Sequence, residues 1–118
     1  MKRDWELIRM ILLRIEAAPD LSGRYFADRF PEWPADAVNY HLWLLIQSGL
    51  IAGQCNADAP RPGFVCYGVA LTWAGQEFLA AVRDDTAWNR IKARLAERVV
   101  DLSLDAVLAC ARRIVAGG

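Results

Sequence analysis

Residues 36–51, DAVNYHLWLLIQSGLI, form the segment that decides how the rest of the chain folds. Several apolar side chains in this segment recur at three- and four-residue spacing, so they share one face of a helix. They are Val38, Leu42, Leu45 and Ile46. Gly49 is expected to end the helix, because a helix C-terminus favours a residue that adopts positive φ. The apolar pair Leu50 and Ile51 then predicts the start of a strand.

The residues after Gly49 predict a β-hairpin with a long tip. Residues 50–55, LIAGQC, and 64–73, FVCYGVALTW, contain the β-branched and aromatic side chains that strands favour. Between them, residues 56–63, NADAPRPG, indicate a loop that is long for a hairpin. A helix that ends at Gly and leads into a hairpin is the order of recognition helix and wing in winged helix-turn-helix proteins. The predicted fold class is therefore α+β and mostly helical: a winged helix-turn-helix with a β-hairpin wing and additional C-terminal helices.

The N-terminal part of the chain predicts one long helix and one ambiguous segment. Asp4 is a suitable N-cap for a helix over residues 5–18, WELIRMILLRIEAA, which carries an apolar stripe. Residues 24–30, RYFADRF, fit either a short helix capped by Ser22 or the first strand of the wing sheet. We favour the helix, because the segment resembles the pattern that precedes many recognition helices. The helix would bury Phe26, Ala27 and Phe30.

After the predicted hairpin, the spacing of apolar residues is helical again. Each of the three helical segments follows a suitable N-cap: Thr72, Thr86 and Ser103. We predict a single winged-helix domain over residues 1–118, with the core and wing in 1–73 and a C-terminal helical extension in 74–118. Because such extensions often form dimer interfaces, we expect a homodimer or a higher homo-oligomer.

The composition is typical of a folded protein. Hydrophobic residues make up 55% and charged residues 24% of the 118 residues, and no apolar run approaches the roughly 20 residues that span a bilayer. The chain opens with a charged amphipathic segment rather than a signal peptide, so we expect a cytoplasmic protein without a membrane partner. Basic and acidic residues number 14 each. This balance weakens the case for DNA binding, because phosphate contacts favour a basic excess.

The three cysteines, Cys55, Cys66 and Cys110, are expected to be reduced thiols in the cytoplasm. Cys55 and Cys66 could face each other across the hairpin, so a disulfide or a shared metal ion remains an open alternative. The only histidine is His41 and no Cys-x-x-Cys spacing occurs, which argues against a zinc site. We predict no metal ion and no cofactor.

Motifs along most of the chain carry a resemblance to known proteins. They are MKRD at 1–4, VNYHL at 38–42, GLI at 49–51, LTWxGxEFL at 71–79 and RDDTxW at 83–88, where x is any residue. Together they resemble a family of small, functionally uncharacterised proteins encoded mostly by phages, prophages and bacteria. The resemblance implies a winged-helix-like fold and a phage or mobile-element context, and it implies no activity. The chain departs from the usual pattern at Trp43, where a polar residue or lysine is typical, and in its long wing tip.

The first functional hypothesis is a phage-type transcriptional regulator that binds double-stranded DNA as a dimer. The helix side chains expected to face the major groove are Asn39, Tyr40, Trp43 and Gln47. Asn and Gln can pair bidentately with adenine. Phosphate contacts are expected from the wing tip and from a basic ridge on a C-terminal helix, through Arg61, Arg90, Arg94 and Arg98. However, residues 32–54 contain no Arg or Lys, and Asp36 would repel phosphate.

The second hypothesis is a protein-interaction module of a phage or mobile element, for example an inhibitor of a host defence system. Tyr40 and Trp43 would then form a hydrophobic patch that binds a host or phage protein. A third interpretation is that the chain's own C-terminal helices cover this helix face.

No set of residues predicts catalysis. His41 lacks a partner carboxylate or nucleophile and is expected at the edge of the core, bonded to a neighbouring backbone group. Asp84 and Asp85 diverge around a helix, so they cannot easily share one metal ion; they fit the start of the following helix. Because no phosphate-binding loop, nucleophile elbow or metal-helix motif occurs, we expect a protein that is not an enzyme.

Overall fold

The computed structural model describes residues 1–96 and 107–109 and has an α+β fold with one antiparallel β-hairpin. Its regular elements are α1 (Trp5–Glu16), α2 (Ala35–Gln47), β1 (Ile51–Cys55), β2 (Cys66–Leu71), α3 (Trp73–Val82) and α4 (Asp85–Ala96). The chain divides into two compact units, Met1–Gln76 and a second unit that begins at Glu77. No helix within the described ranges is long and apolar enough to cross a membrane.

Helix α1 begins at the predicted N-cap. The Asp4 carboxylate accepts hydrogen bonds from the backbone N–H groups of Glu6 (3.0 Å) and Leu7 (3.2 Å), which have no acceptor within the helix. The predicted apolar stripe is buried, and so is Trp5; the residues of the stripe are Leu7, Ile8, Ile11, Leu12 and Ile15. The stripe gives α1 one face that must pack against other elements of the first unit.

Residues 24–30 differ from the predicted helix. Tyr25 pairs with Gly68 of β2 through two backbone hydrogen bonds of 2.8 and 3.1 Å, and only Ala27–Arg29 form a single 3₁₀ turn. Phe30 is buried as predicted, but Phe26 is 38% exposed, with its ring centroid 5.1 Å from that of Tyr67. The predicted cap is wrong too, because Ser22 donates to the Asp20 carboxylate instead. Long-range pairing with β2 thus determines this segment, and local helix preference does not.

The hairpin pairs β1 and β2 with an irregularity between Ala52 and Gly53. A Cβ at residue 53 would collide with the backbone carbonyl oxygen of Tyr67, so this position requires glycine. On the inner face of the sheet, a Cβ at Gly68 would meet side-chain atoms of Ile15 and Leu42. The hairpin therefore packs closely against both α1 and α2, which form the core of the first unit together with the sheet.

One ion pair joins α1 to the segment that precedes α2. The Arg14 guanidinium donates to both carboxylate oxygens of Glu32 and, at 2.8 Å, to the carbonyl oxygen of Arg29. The hydrogen bonds from Arg14 lower the pKa of Glu32 from 4.5 to about 2. A depressed pKa in the folded state means that the pair stabilises the fold fully above about pH 4.5 and loses this effect as the pH falls towards 2.

We expect Glu32→Gln to remove the pH dependence of stability that comes from this ion pair. Thermal unfolding of wild type and variant should differ above about pH 4.5 and converge as the pH falls towards about 2. The difference should be small, since both side chains are partly exposed and water screens the pair. Melting temperatures that fall in parallel over the whole pH range would show that the pair contributes nothing.

The cap of α3 is the predicted one and the cap of α4 is not. Thr72 Oγ1 accepts from the backbone N–H of Gly75 at 3.1 Å. Helix α4 begins at Asp85, and its first turn is capped by Asp84, whose carboxylate accepts from the N–H of Ala87 at 2.8 Å. The predicted cap Thr86 lies inside the helix, because Asp is at least as good a cap as Thr and stands two residues earlier. The predicted cap Ser103 lies outside the described residues.

Candidate functional site

The N-terminal half of α2 is held by a hydrogen-bonded network that includes the only histidine. His41 is 1% exposed; its Nδ1 donates to the carbonyl oxygen of Ala37 (2.6 Å), and its Nε2 accepts from the backbone N–H of Asp4 (2.7 Å). Asp4 also accepts from Trp33 Nε1 at 3.3 Å. Both ring nitrogens of His41 are thus occupied by backbone groups, and its predicted structural role at the edge of the core is confirmed.

Asn39 was expected to face outwards, and this placement is wrong. The side chain is 7% exposed, and its Oδ1 accepts a hydrogen bond of 3.0 Å from the backbone N–H of Cys66 in β2. The sheet packs against α2 beside the predicted apolar face and buries a wider strip of the helix. In this position the Asn39 amide satisfies a buried strand N–H, so it does not present a donor–acceptor pair to a DNA base.

Tyr40 and Trp43 are half-buried rather than open to solvent. The ring centroid of Trp43 lies 5.9 Å from that of Tyr40 and 6.5 Å from that of Phe64, which precedes β2 and is itself buried. The Nε1 atom of Trp43 is buried and has no acceptor among the described residues. The Trp43 side chain therefore packs against the hairpin through Phe64, with the Tyr40 ring beside it.

The hairpin tip, residues 56–65, has its own internal bonds. The Asn56 side chain donates to the carbonyl oxygen of Gly63 (3.1 Å) and accepts from the N–H of Val65 (3.0 Å), and its backbone N–H donates to the carbonyl oxygen of Val65. Gly63 adopts a φ of 82°, a conformation that favours glycine. Together with the packing of Phe64 on Trp43, these bonds hold the two ends of the tip together.

Cys55 and Cys66 form a disulfide across the base of the tip, with their Cα atoms 4.0 Å apart. The expected reduced state is wrong for this pair, and the disulfide alternative is the one observed. The register places the two residues directly opposite each other, and the N–H of Cys66 donates to Asn39 rather than to β1. Side chains approach most closely at such non-hydrogen-bonded pairs, which explains the bond.

We define the α2–hairpin face as Asp36, Tyr40, Trp43 and Gln47 together with the hairpin tip. Arg61 is exposed in the tip between Pro60 and Pro62, and its side chain has no partner among the described residues. Within this face the tip's Asp58 and the helix's Asp36 are also exposed, so a single cation is accompanied by two carboxylates. Gln47 is exposed at the last turn of α2. The face can therefore offer one arginine and one amide to a partner.

The predicted basic ridge belongs to the second unit. Arg90 and Arg94 are exposed on α4, one helical turn apart, while Lys92 lies over the ring of Trp88. Arg98 lies outside the described residues. Arg90 and Arg94 thus share one side of α4, as their spacing predicts.

Sequence reasoning missed two residues that shape the face, Asn56 and Phe64. An Asn at the end of a strand, close before a Pro- and Gly-rich loop, is a signal for side-chain bonds to the loop backbone. Phe64 was assigned to a strand, and nothing local indicated that it would contact Trp43. Its position depends on how the hairpin packs on α2.

Residues 2–101 match the model of a protein family described as "Hypothetical protein (DUF2513)". The chain belongs to the DUF2513 family. It is 36% identical over 115 residues to an "Uncharacterized protein" from Haemophilus influenzae (strain ATCC 51907 / DSM 11121 / KW20 / Rd), with 98% of this chain and 96% of that protein covered. No solved structure matches the chain. The DUF2513 match includes all of the α2–hairpin face as well as α4.

Proposed function

We propose that this DUF2513 protein is a winged-helix transcriptional regulator of phage type that binds double-stranded DNA as a homodimer. The order of elements in the first unit supports the fold: α1, the Tyr25 bridge, a 3₁₀ turn, α2 and the hairpin. In a winged-helix protein these correspond to the first helix, the first strand, a shortened second helix, the recognition helix and the wing. The length of the second helix is the largest departure from that pattern.

The observation that carries the proposal is the presentation of Arg61. Pro60 and Pro62 restrict the backbone on both sides of it, and the Asn56 bonds and the disulfide close the tip below it. The backbone of an arginine held in this way loses little conformational entropy when the side chain contacts a phosphate or enters a minor groove. The wing, rather than the recognition helix, would then make the strongest contact with DNA.

Helix α2, the recognition helix in this proposal, would contribute less to DNA binding than the wing does. Gln47 is exposed and can contact a base edge or a phosphate, whereas Asn39 is occupied in the core. Asp36 and Asp58 oppose phosphate binding at the same face. One protomer would therefore bind DNA weakly. A dimer that engages two sites at once would gain affinity through the second, intramolecular contact.

The first experiment is fluorescence anisotropy with a labelled random DNA duplex at low and at physiological salt. Arg61→Ala should weaken binding about fivefold to tenfold at low salt and reduce the salt dependence by about one phosphate contact. Arg24→Ala is the matched control, because Arg24 is also exposed but lies over the ring of Tyr67, outside the α2–hairpin face. Equal affinities of wild type and Arg61→Ala would contradict the proposal.

A second candidate function is protein contact through the α2–hairpin face. The buried Nε1 of Trp43 favours it, because an indole N–H without an acceptor is costly and a partner could supply one after a shift of the tip. The carboxylates of Asp36 and Asp58 would also repel a protein partner less strongly than they repel the phosphates of DNA. If the anisotropy experiment shows no duplex binding at low salt, this candidate replaces DNA binding.

A further inference from the structure

The disulfide lies where it can control the presentation of Arg61. Its two cysteines face each other at a pair that has no ladder hydrogen bond, because the N–H of Cys66 donates to Asn39 on α2. The next backbone bond towards the tip runs from Asn56 to Val65. At the level of Cys55 and Cys66, the disulfide is thus the direct link between the two strands, and the whole tip lies beyond it.

The two cysteine residues differ in exposure. The two cysteines lie on the same face of the sheet, but Cys66 in β2 is 0% exposed whereas Cys55 in β1 is half-buried. Cys55 is therefore the residue of the pair that a small thiol or thiolate from solvent can approach more readily. This asymmetry assigns the roles in thiol–disulfide exchange: Cys55 carries the mixed disulfide, and Cys66 resolves it.

We infer that the Cys55–Cys66 pair is a redox switch that tightens DNA binding when it is oxidised. The inference rests on the proposed function. In the oxidised state the tip is closed at its base, and Arg61 is presented on a cross-linked loop. In the reduced state this cross-link is lost and the tip is held by its hydrogen bonds and the Phe64 contact, so ordering it on DNA costs more conformational entropy.

The chemistry needs only a low-molecular-weight disulfide such as glutathione disulfide. The Cys55 thiolate attacks one sulfur of that disulfide, which forms a mixed disulfide and releases one glutathione thiolate. The Cys66 thiolate then attacks the Cys55 sulfur, which forms the protein disulfide and releases the second glutathione thiolate. Two electrons pass from the protein to the external disulfide, and each released thiolate takes up a proton lost by a cysteine. An excess of glutathione reverses both steps.

The test compares duplex binding of the full-length chain in two glutathione buffers, one oxidising and one reducing, with the thiol count verified by alkylation and mass spectrometry. We expect the oxidised protein to bind about fivefold more tightly, as loss of a loop-ordering cost predicts. Cys55→Ser cannot form the bond and should bind like the reduced protein in both buffers. Cys110→Ser is the matched control, because it removes a thiol and keeps the pair, and it should retain the difference.

Equal affinities of oxidised and reduced wild type would overturn the switch, and so would a redox response that persists in Cys55→Ser. If neither form binds DNA, the proposed function fails, and the switch is judged by hydrogen exchange of the tip amides. These amides should exchange more slowly in the oxidised protein. Identical exchange rates in the two forms would then remove the switch as well.

Discussion

Phe64→Ala is expected to lower the free energy of unfolding by about 3 kcal/mol, at the lower end of the cost of truncating a buried Phe. Phe64 is 8% exposed, and its ring lies nearly perpendicular to that of Trp43, so the substitution leaves a cavity between the hairpin tip and α2. Chemical denaturation monitored by tryptophan fluorescence measures the loss. Because the tip loses its contact with α2, DNA binding through Arg61 should weaken as well.

Val65→Ala is the matched control for Phe64→Ala. Val65 is the next residue in the chain and is 43% exposed, so its truncation should change stability by no more than about 0.5 kcal/mol. A similar loss for both variants would mean that Phe64 does not connect the tip to α2. In that case the tip would depend on its internal hydrogen bonds and the disulfide.

Asn39→Ala is expected to lower the free energy of unfolding by about 1–2 kcal/mol. The substitution leaves the buried N–H of Cys66 without its acceptor, which costs about 1–3 kcal/mol. Alanine has a higher helix propensity than asparagine, which offsets roughly half a kcal/mol of this loss in stability. Thermal or urea unfolding measures the net effect, which has the opposite sign to that expected for an exposed helix position.

Gln47→Ala is the comparison that distinguishes a structural role of Asn39 from contact with a DNA base. Gln47 was predicted to lie on the same groove face and is exposed, so its substitution should leave stability within about 0.5 kcal/mol. At a temperature where all variants are folded, Asn39→Ala should bind DNA like the wild type. Weaker binding by Asn39→Ala with unchanged stability would restore Asn39 as a base-contacting residue and contradict its burial.

Local sequence signals were sufficient for most of the regular elements. Asp4 and Thr72 were recognised as caps, because a side-chain oxygen next to an apolar helical pattern is itself the physical cause of the helix start. Gly49 ends α2 with a φ of 77° for an equally local reason. The hairpin followed from β-branched and aromatic flanks around a loop rich in Pro and Gly. In each case the interaction that determines the element lies within a few residues.

Where two or more local conformations compete, the local sequence did not predict which one forms. At residues 24–30 a short helix and a strand were both possible, and pairing of Tyr25 with Gly68, far along the chain, selected the extended form. At the start of α4, Asp84 and Thr86 were both suitable caps, and the helix uses the earlier one. The free energies of competing local conformations differ by about 1 kcal/mol or less, so a long-range contact that contributes a similar free energy reverses the preference.

The sequence by itself determined the α+β class, the position of α2 and the hairpin, and the exposure of Arg61, Arg90 and Arg94. Only the tertiary structure decided what the outer side of α2 does. Helical periodicity places Asn39, Tyr40 and Trp43 around the axis, but it contains no information about how far the hairpin reaches across the helix. The contacts of Cys66 with Asn39 and of Phe64 with Trp43 join residues separated by more than twenty positions, and they arise only when the sheet packs on α2. Because of these contacts, the side of α2 that was predicted to contact the major groove supports the hairpin tip instead.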